Sequence, residues 1–110
     1  MKGQAILPDA VPAGAHLLRV RIEDVSRADA AAATAGEVEI ALAGPLPPGA
    51  TIPFEVPVGT VDPKARYSVR VHLDCHGTGE IESGDLISTQ SYPVLTLGAP
   101  ATVEVRLQRA

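Results

Sequence analysis

The chain reads as an all-β protein: a single-domain antiparallel β-sandwich of about seven or eight strands with Greek-key-like connections. Apolar and polar residues alternate with period two along most of its 110 residues, as half-buried antiparallel strands require. Its ten glycines and ten prolines fall mainly between the alternating runs, where turns belong. Only one short stretch carries helix signals.

The elements follow in order. Lys2 to Leu7 is a short candidate strand. Pro12-Ala13-Gly14 turns into a run in which Leu18, Val20 and Ile22 alternate with Arg19, Arg21 and Glu23. Ser26, Asp29, Ala30 to Ala33 and Gly36 then resemble a capping box closed by a glycine. That stretch is too short for an independent helix and reads as one or two helical turns or a loop. Val38, Ile40 and Leu42 form the next apolar face. After Pro45-Leu46-Pro47-Pro48-Gly49 come Ile52, Phe54 and Val56, flanked by Pro53 and Pro57. Residues i, i+2 and i+4 of a strand point their N–H groups at one neighbour, and here two of those three donors are missing. The strand therefore belongs at a sheet edge, blunted against further pairing. Asp62-Pro63 leads into Tyr67, Val69, Val71 and Leu73, and a tyrosine so soon after a proline turn suits a tyrosine corner. Leu86 to Leu97 is a strand broken near Pro93, and Val103, Val105 and Leu107 form the last one. The expected core is Leu18, Val20, Ile22, Val38, Ile40, Leu42, Ile52, Phe54, Val56, Tyr67, Val69, Val71, Leu73, Val103, Val105 and Leu107.

Composition bounds the function. A chain of this length makes one domain. One cysteine, Cys75, allows no internal disulfide. The net charge of −4, scattered Lys and Arg and only three aromatic side chains argue against nucleic acid and against anionic membrane surfaces. No apolar run approaches the ~20 residues of a transmembrane helix. The first residues, Met1-Lys2-Gly3-Gln4, carry neither a signal-peptide pattern nor an early cysteine for a lipid, so the sequence as written is expected in the cytoplasm.

Several runs together are similar to the YscW/YbaY family of small bacterial lipoproteins, some of them type III secretion lipoprotein chaperones or pilotins. They are Gly3-x-Ala5-x-Leu7, Pro12-x-Gly14-Ala15-x-Leu17 and Val20-Arg21-Ile22-Glu23-Asp24-Val25-Ser26-Arg27-Ala28-Asp29-Ala30. Ile52-Pro53-Phe54-Glu55-Val56, Asp62-Pro63-x-x-x-Tyr67-Ser68-Val69-Arg70-Val71 and Ser88-Thr89-Gln90-Ser91-Tyr92-Pro93-Val94-Leu95-Thr96-x-Gly98 continue the pattern. The resemblance implies a compact β-sandwich, no catalytic residues, no cofactor, and a protein partner such as a secretin or another envelope component. It also implies a place in the periplasm or at the outer membrane. Asp24-Val25-Ser26 reads as a strand end and turn, its side chains bonding nearby backbone.

One constellation offers other chemistry. In His72-Leu73-Asp74-Cys75-His76, a continued strand puts His72, Asp74 and His76 on one polar face, adjacent members about 6–7 Å apart along the strand. Imidazole and carboxylate in that order suit zinc, copper or nickel, and a transition-metal module is the alternative function. The competing explanation is a solvated strand face with a small buried thiol at Cys75. His16 is a fourth ligand only if its strand end lies alongside. Cys75 and His76 point apart and make no nucleophilic pair, no Gly-x-Ser-x-Gly elbow or P-loop is present, and the run Glu80 to Asp85 reads as a solvated hairpin.

Overall fold

The computed structural model describes residues 1–26, 33–99 and 102–110. It holds eight strands: β1 Lys2–Ile6, β2 Val11–Asp24, β3 Ala33–Leu46, β4 Thr51–Glu55, β5 Tyr67–Asp74, β6 Leu86–Ser88, β7 Pro93–Val94 and β8 Thr102–Arg109. No helix occurs among the described residues. Residues 27–32 of the helical-turn-or-loop segment expected after Ser26 lie outside them, and its end is corrected: Ala33 and the supposed closing Gly36 belong to β3, paired with β2 through Asp24 and Ile22.

The strands do not divide into two separate sheets. They follow one hydrogen-bonded path, β3-β2-β5-β6-β8-β1-β4, with β7 attached to β5. β8 joins its two halves by pairing with β1 through Thr102–Arg106 and with β6 through Leu107–Arg109. The path curls into a nearly closed barrel, which corrects the expected sandwich. A second correction is that β1 and β8 run parallel. That relation needs a long connection, and here nearly the whole chain lies between the two strands.

Two glycines permit the curl. A Cβ on Gly3 would collide with the Val103 carbonyl and the Phe54 ring, so only glycine lets β1 lie between β8 and β4. A Cβ on Gly36 would strike the Pro57 carbonyl. The tail of β4 thus closes against the inner side of β3 at one end, although the two strands are not neighbours on the hydrogen-bonded path.

The core follows the alternation. Leu18, Val20, Ile22, Ile52, Phe54, Val56, Tyr67, Val69, Val71, Leu73, Val105 and Leu107 are buried, joined by Ala5, Leu7, Val11, Ala65, Leu86 and Val94. Val38, Ile40, Leu42 and Val103 are only half-buried. Three of these four lie on β3, which has no strand hydrogen-bonded to its far side among the described residues. Tyr67 makes the expected corner: its hydroxyl accepts the Asp62 N–H at 2.9 Å, five residues upstream. The β2 end is tied as its sequence suggests. Asp24 Oδ1 accepts the Ser26 N–H and hydroxyl, and Ser26 Oγ accepts the Arg66 N–H at 2.8 Å.

Candidate functional site

Three features remain once the core is accounted for: a buried carboxylate cluster at the end of β5, the two ends of the sheet, and an apolar groove beside Tyr67.

β5 ends at Asp74, and the chain then leaves the sheet and returns at Leu86. The returning loop is clasped by Asp85, which is fully buried. Asp85 Oδ2 accepts from His72 Nε2 at 2.7 Å and from the Glu82 N–H at 3.1 Å. Its Oδ1 accepts from the Cys75 N–H at 3.0 Å and from His76 Nδ1 at 2.9 Å. Asp74 is equally buried. Its Oδ1 accepts the His76 and Gly77 N–H groups, and its Oδ2 accepts the Gly79 N–H and the Arg19 guanidinium. Four carboxylate oxygens thus accept two hydrogen bonds each. Burial alone would raise both carboxyl pKa values, but these donors outweigh it. Gly79, His76, Gly77 and Arg19 hold Asp74 far below the ordinary carboxylate range. His72, the Cys75 and Glu82 N–H groups and His76 lower Asp85 as well.

The structure therefore rearranges the triad suggested by sequence. His72 and His76 do meet, but on Asp85 rather than on Asp74. The potential ligand atoms lying within 4.8 Å of one another belong to His72, Asp74 and Asp85. The strand stops before His76, so the shared face does not continue. His16 lies elsewhere, its Nε2 donating to the Pro12 carbonyl at 2.7 Å. Asp85, expected in a solvated hairpin, is instead the centre of the cluster, whereas Glu80 to Gly84 are exposed. The sequence signal that marks it is the Ile81-Glu82-Ser83-Gly84-Asp85-Leu86 run, which places it immediately before a strand. Cys75 is partly exposed and free. Burial pushes its thiol pKa up, and the negative charges of Asp85 and Asp74 add to that, opposite to what a nucleophile needs.

Outside this clasp the outer sheet face carries a charge ladder. Arg19 reaches Glu39 at 3.0 Å and Asp74 at 3.3 Å, and Arg70 reaches Glu23 at 2.9 Å. Arg21 lies at 3.7–3.8 Å from Glu37 and Glu23. The Arg19–Glu39 and Arg21–Glu37 pairs are largely exposed and contribute little, whereas Arg19 and Arg70 also neutralise the buried carboxylates of Asp74 and Glu23.

The two sheet ends differ in chemistry. On β4, the Val56 N–H bonds the Met1 carbonyl, and Gly3 and Ala5 pair with Phe54 and Ile52. By the alternation of an antiparallel ladder, Ile52, Phe54 and Val56 turn their N–H groups to β1. Pro53, Glu55 and Pro57 then face outward, and the edge assignment from the prolines holds. On β5, the Val69 and Val71 N–H groups bond Tyr92 and Ser88 on the side away from β2. Arg70 and His72 therefore face β2, and their partners Arg21 and Arg19 face β5. Leu18, Val20 and Ile22 in turn face β3, opposite Ile40, Val38 and Gly36. The outward backbone of β3 is thus that of Glu37, Glu39, Ala41 and Ala43, with every N–H retained.

The groove is formed by Val25, Tyr67, Pro93 and Leu97 with Arg66 at its rim, and has a volume of ≈ 430 Å³. Leu97 and Val25 are among the few exposed large apolar side chains. Leu95 and Leu97 hold φ of 72° and 56°, a conformation unfavourable for non-glycine residues.

These surfaces sit on a fold with known relatives. The profile of the type III secretion system lipoprotein chaperone family, YscW, matches residues 3–107. The chain belongs to the YscW family. Among solved structures it is similar to an alternative pilotin from the type II secretion system of Vibrio cholerae. The TM-score is 0.71 at 23% identity, over 97% of this chain and 92% of that one. At that identity the likeness establishes a shared fold. No curated protein sequence matches the chain. No helix of the described residues is long and apolar enough to cross a membrane.

Proposed function

We propose that this YscW-family protein is a non-catalytic interaction module that assists the assembly or localisation of a secretin or related envelope component, acting in the periplasm or at the outer membrane. The observation that carries this reading is the family match over residues 3–107. The chemistry of the chain supports it. The most densely functionalised cluster, around Asp74 and Asp85, has its carboxylate oxygens fully engaged in holding a loop, and the thiol beside it is shifted away from reactivity. A transition-metal role for His72, Asp74 and His76 would require an ion to displace those donors from Asp74.

The test is made in the protein's native cells. Outer-membrane fractions from cells with and without the gene are compared for detergent-resistant secretin multimers, and the native protein is located by fractionation and intact mass. Loss of multimers on deletion, restored by the gene, is expected. Unchanged multimers, or a protein found wholly in the cytoplasm, overturn the proposal.

A further inference from the structure

We propose that the free edge of β3, from Glu37 to Ala43, takes up an extended segment of a partner protein as an added β-strand, and that this segment alternates basic and apolar residues. The inference rests on the interaction-module reading and identifies its surface and the chemistry of its partner.

Three observations lead to it. First, β3 ends the hydrogen-bonded path among the described residues, and its outward N–H and C=O groups belong to Glu37, Glu39, Ala41 and Ala43. Proline is absent from residues 33 to 44. The opposite end of the same sheet has prolines at two of three outward positions, so of the two edges only β3 offers an unbroken row of donors and acceptors. That row spans about 20 Å, enough for a strand of ordinary length.

Second, the inner face of this stretch is unfinished. Val38, Ile40 and Leu42 pack against the core yet remain half-exposed, while their partners Val20, Leu18 and His16 on β2 are buried. A strand laid along β3 would set its own inward side chains beside this row, and apolar ones would complete the cover. Backbone pairing supplies the affinity and the alternate side chains supply the selection, as in other strand-addition complexes.

Third, charge selects the other face. Glu37 and Glu39 lie on the outer face with side chains 65% and 58% exposed, paired among the described residues on their β2 side with Arg21 and Arg19. Residues directly opposite on an added strand approach to about 5 Å, so lysine or arginine there meets two carboxylates, and glutamate or aspartate is repelled. The net charge of −4 favours the same partner at long range. A second copy of β3 does not satisfy this pattern: aligned on Glu39 it opposes like charges, and aligned on Ala41 it brings no cation to either glutamate.

The test uses the full chain, isotopically labelled, and a blocked octapeptide of alternating lysine and valine. NMR titration is expected to shift the amides of Glu37, Glu39, Ala41 and Ala43 and to protect them from solvent exchange. A peptide of alternating glutamate and valine should bind at least about tenfold more weakly, the equivalent of about 1.4 kcal/mol. So should the lysine–valine peptide N-methylated at alternate residues, which cannot form the ladder and leaves the protein unaltered. Ala41→Pro removes one outward donor without touching the β2 ladder and should weaken binding by a similar factor, its fold checked by its spectrum. No binding, equal binding of the N-methylated peptide, or shifts centred on the Val25–Leu97 groove overturn the proposal. A concentration-dependent dimer that protects the same amides overturns it in favour of a second copy. If deletion of the gene abolishes secretin multimers while the peptide fails, this edge assignment falls and the general function stands. The reverse pattern removes the secretin role and leaves the strand-binding edge.

Discussion

Asp74 and Asp85 are charged groups in the interior, whereas Val38, Ile40 and Leu42 are apolar groups left half in solvent. Both regions depart from the usual sorting, but in opposite ways. In the clasp at the end of β5, every carboxylate oxygen has its partners within the chain, so the unusual burial is complete in itself. At the β3 edge, the outward backbone groups have no neighbouring strand among the described residues, and the apolar row packs on the core but is only partly covered. A site with all of its bonding capacity used internally stabilises a fold. A site with capacity left over is available to something else. The histidines and carboxylates that first attract attention in the sequence belong to the former kind, and a plain strand of alanine, glutamate, valine and isoleucine belongs to the latter.

The largest effect that would break this contrast is at Asp85. Asp85→Ala should cost about 3–5 kcal/mol in chemical denaturation, because His72 and two backbone N–H groups lose a buried acceptor. A loss below about 1 kcal/mol would mean the clasp is not structural. Acid should act through the same groups. Their folded pKa values lie below the unfolded value of about 3.9, so their stabilisation is fully present above that pH and declines as pH falls through it. Denaturant midpoints measured from pH 7 down to pH 2 should show this decline, flattened in Asp85→Asn.

A cross-strand pair sharpens the comparison next. Leu18 and Ile40 face each other across β2 and β3, one fully buried and the other half-exposed. Leu18→Ala should cost about 3 kcal/mol and Ile40→Ala about 1 kcal/mol or less. Equal losses would mean that the β3 row is already covered in solution. Calorimetric titration with zinc should then give a Kd weaker than about millimolar, because a metal must displace the backbone donors of Asp74. Tight binding lost in the His72→Ala and His76→Ala variants would restore the metal reading. The smallest effect on stability is expected at the other edge. Replacing Pro53 and Pro57 by threonine should change stability by roughly 0.5 kcal/mol or less, yet light scattering should show increased self-association as the outward donors return.

Much of the fold was legible because side-chain period and burial are tied in a strand. The alternating runs located the long strands, Pro53 and Pro57 marked β4 as an edge, and Asp62-Pro63 before Tyr67 marked the corner whose hydroxyl bond is observed. Less was legible at the candidate sites. The run from His72 to His76 drew attention correctly, since His72 and His76 do converge, but their meeting point is Asp85, supplied by a loop return that no local period encodes. Val38, Ile40 and Leu42 carry the same pattern as core residues. Their partial exposure depends only on which strand lies beside β3.

The sequence by itself determined the class of structure, the faces of its strands and one blunted edge, because each depends on neighbours two to four residues apart, and its single cysteine excluded an internal disulfide. Only the tertiary structure decided that the strands form one curled sheet with a parallel β1–β8 pair, that Asp85 closes on β5, and that β3 is left with an open side. Each of those outcomes depends on contacts between residues far apart in the chain, selected by which curved surface buries the most apolar area while leaving buried polar groups paired.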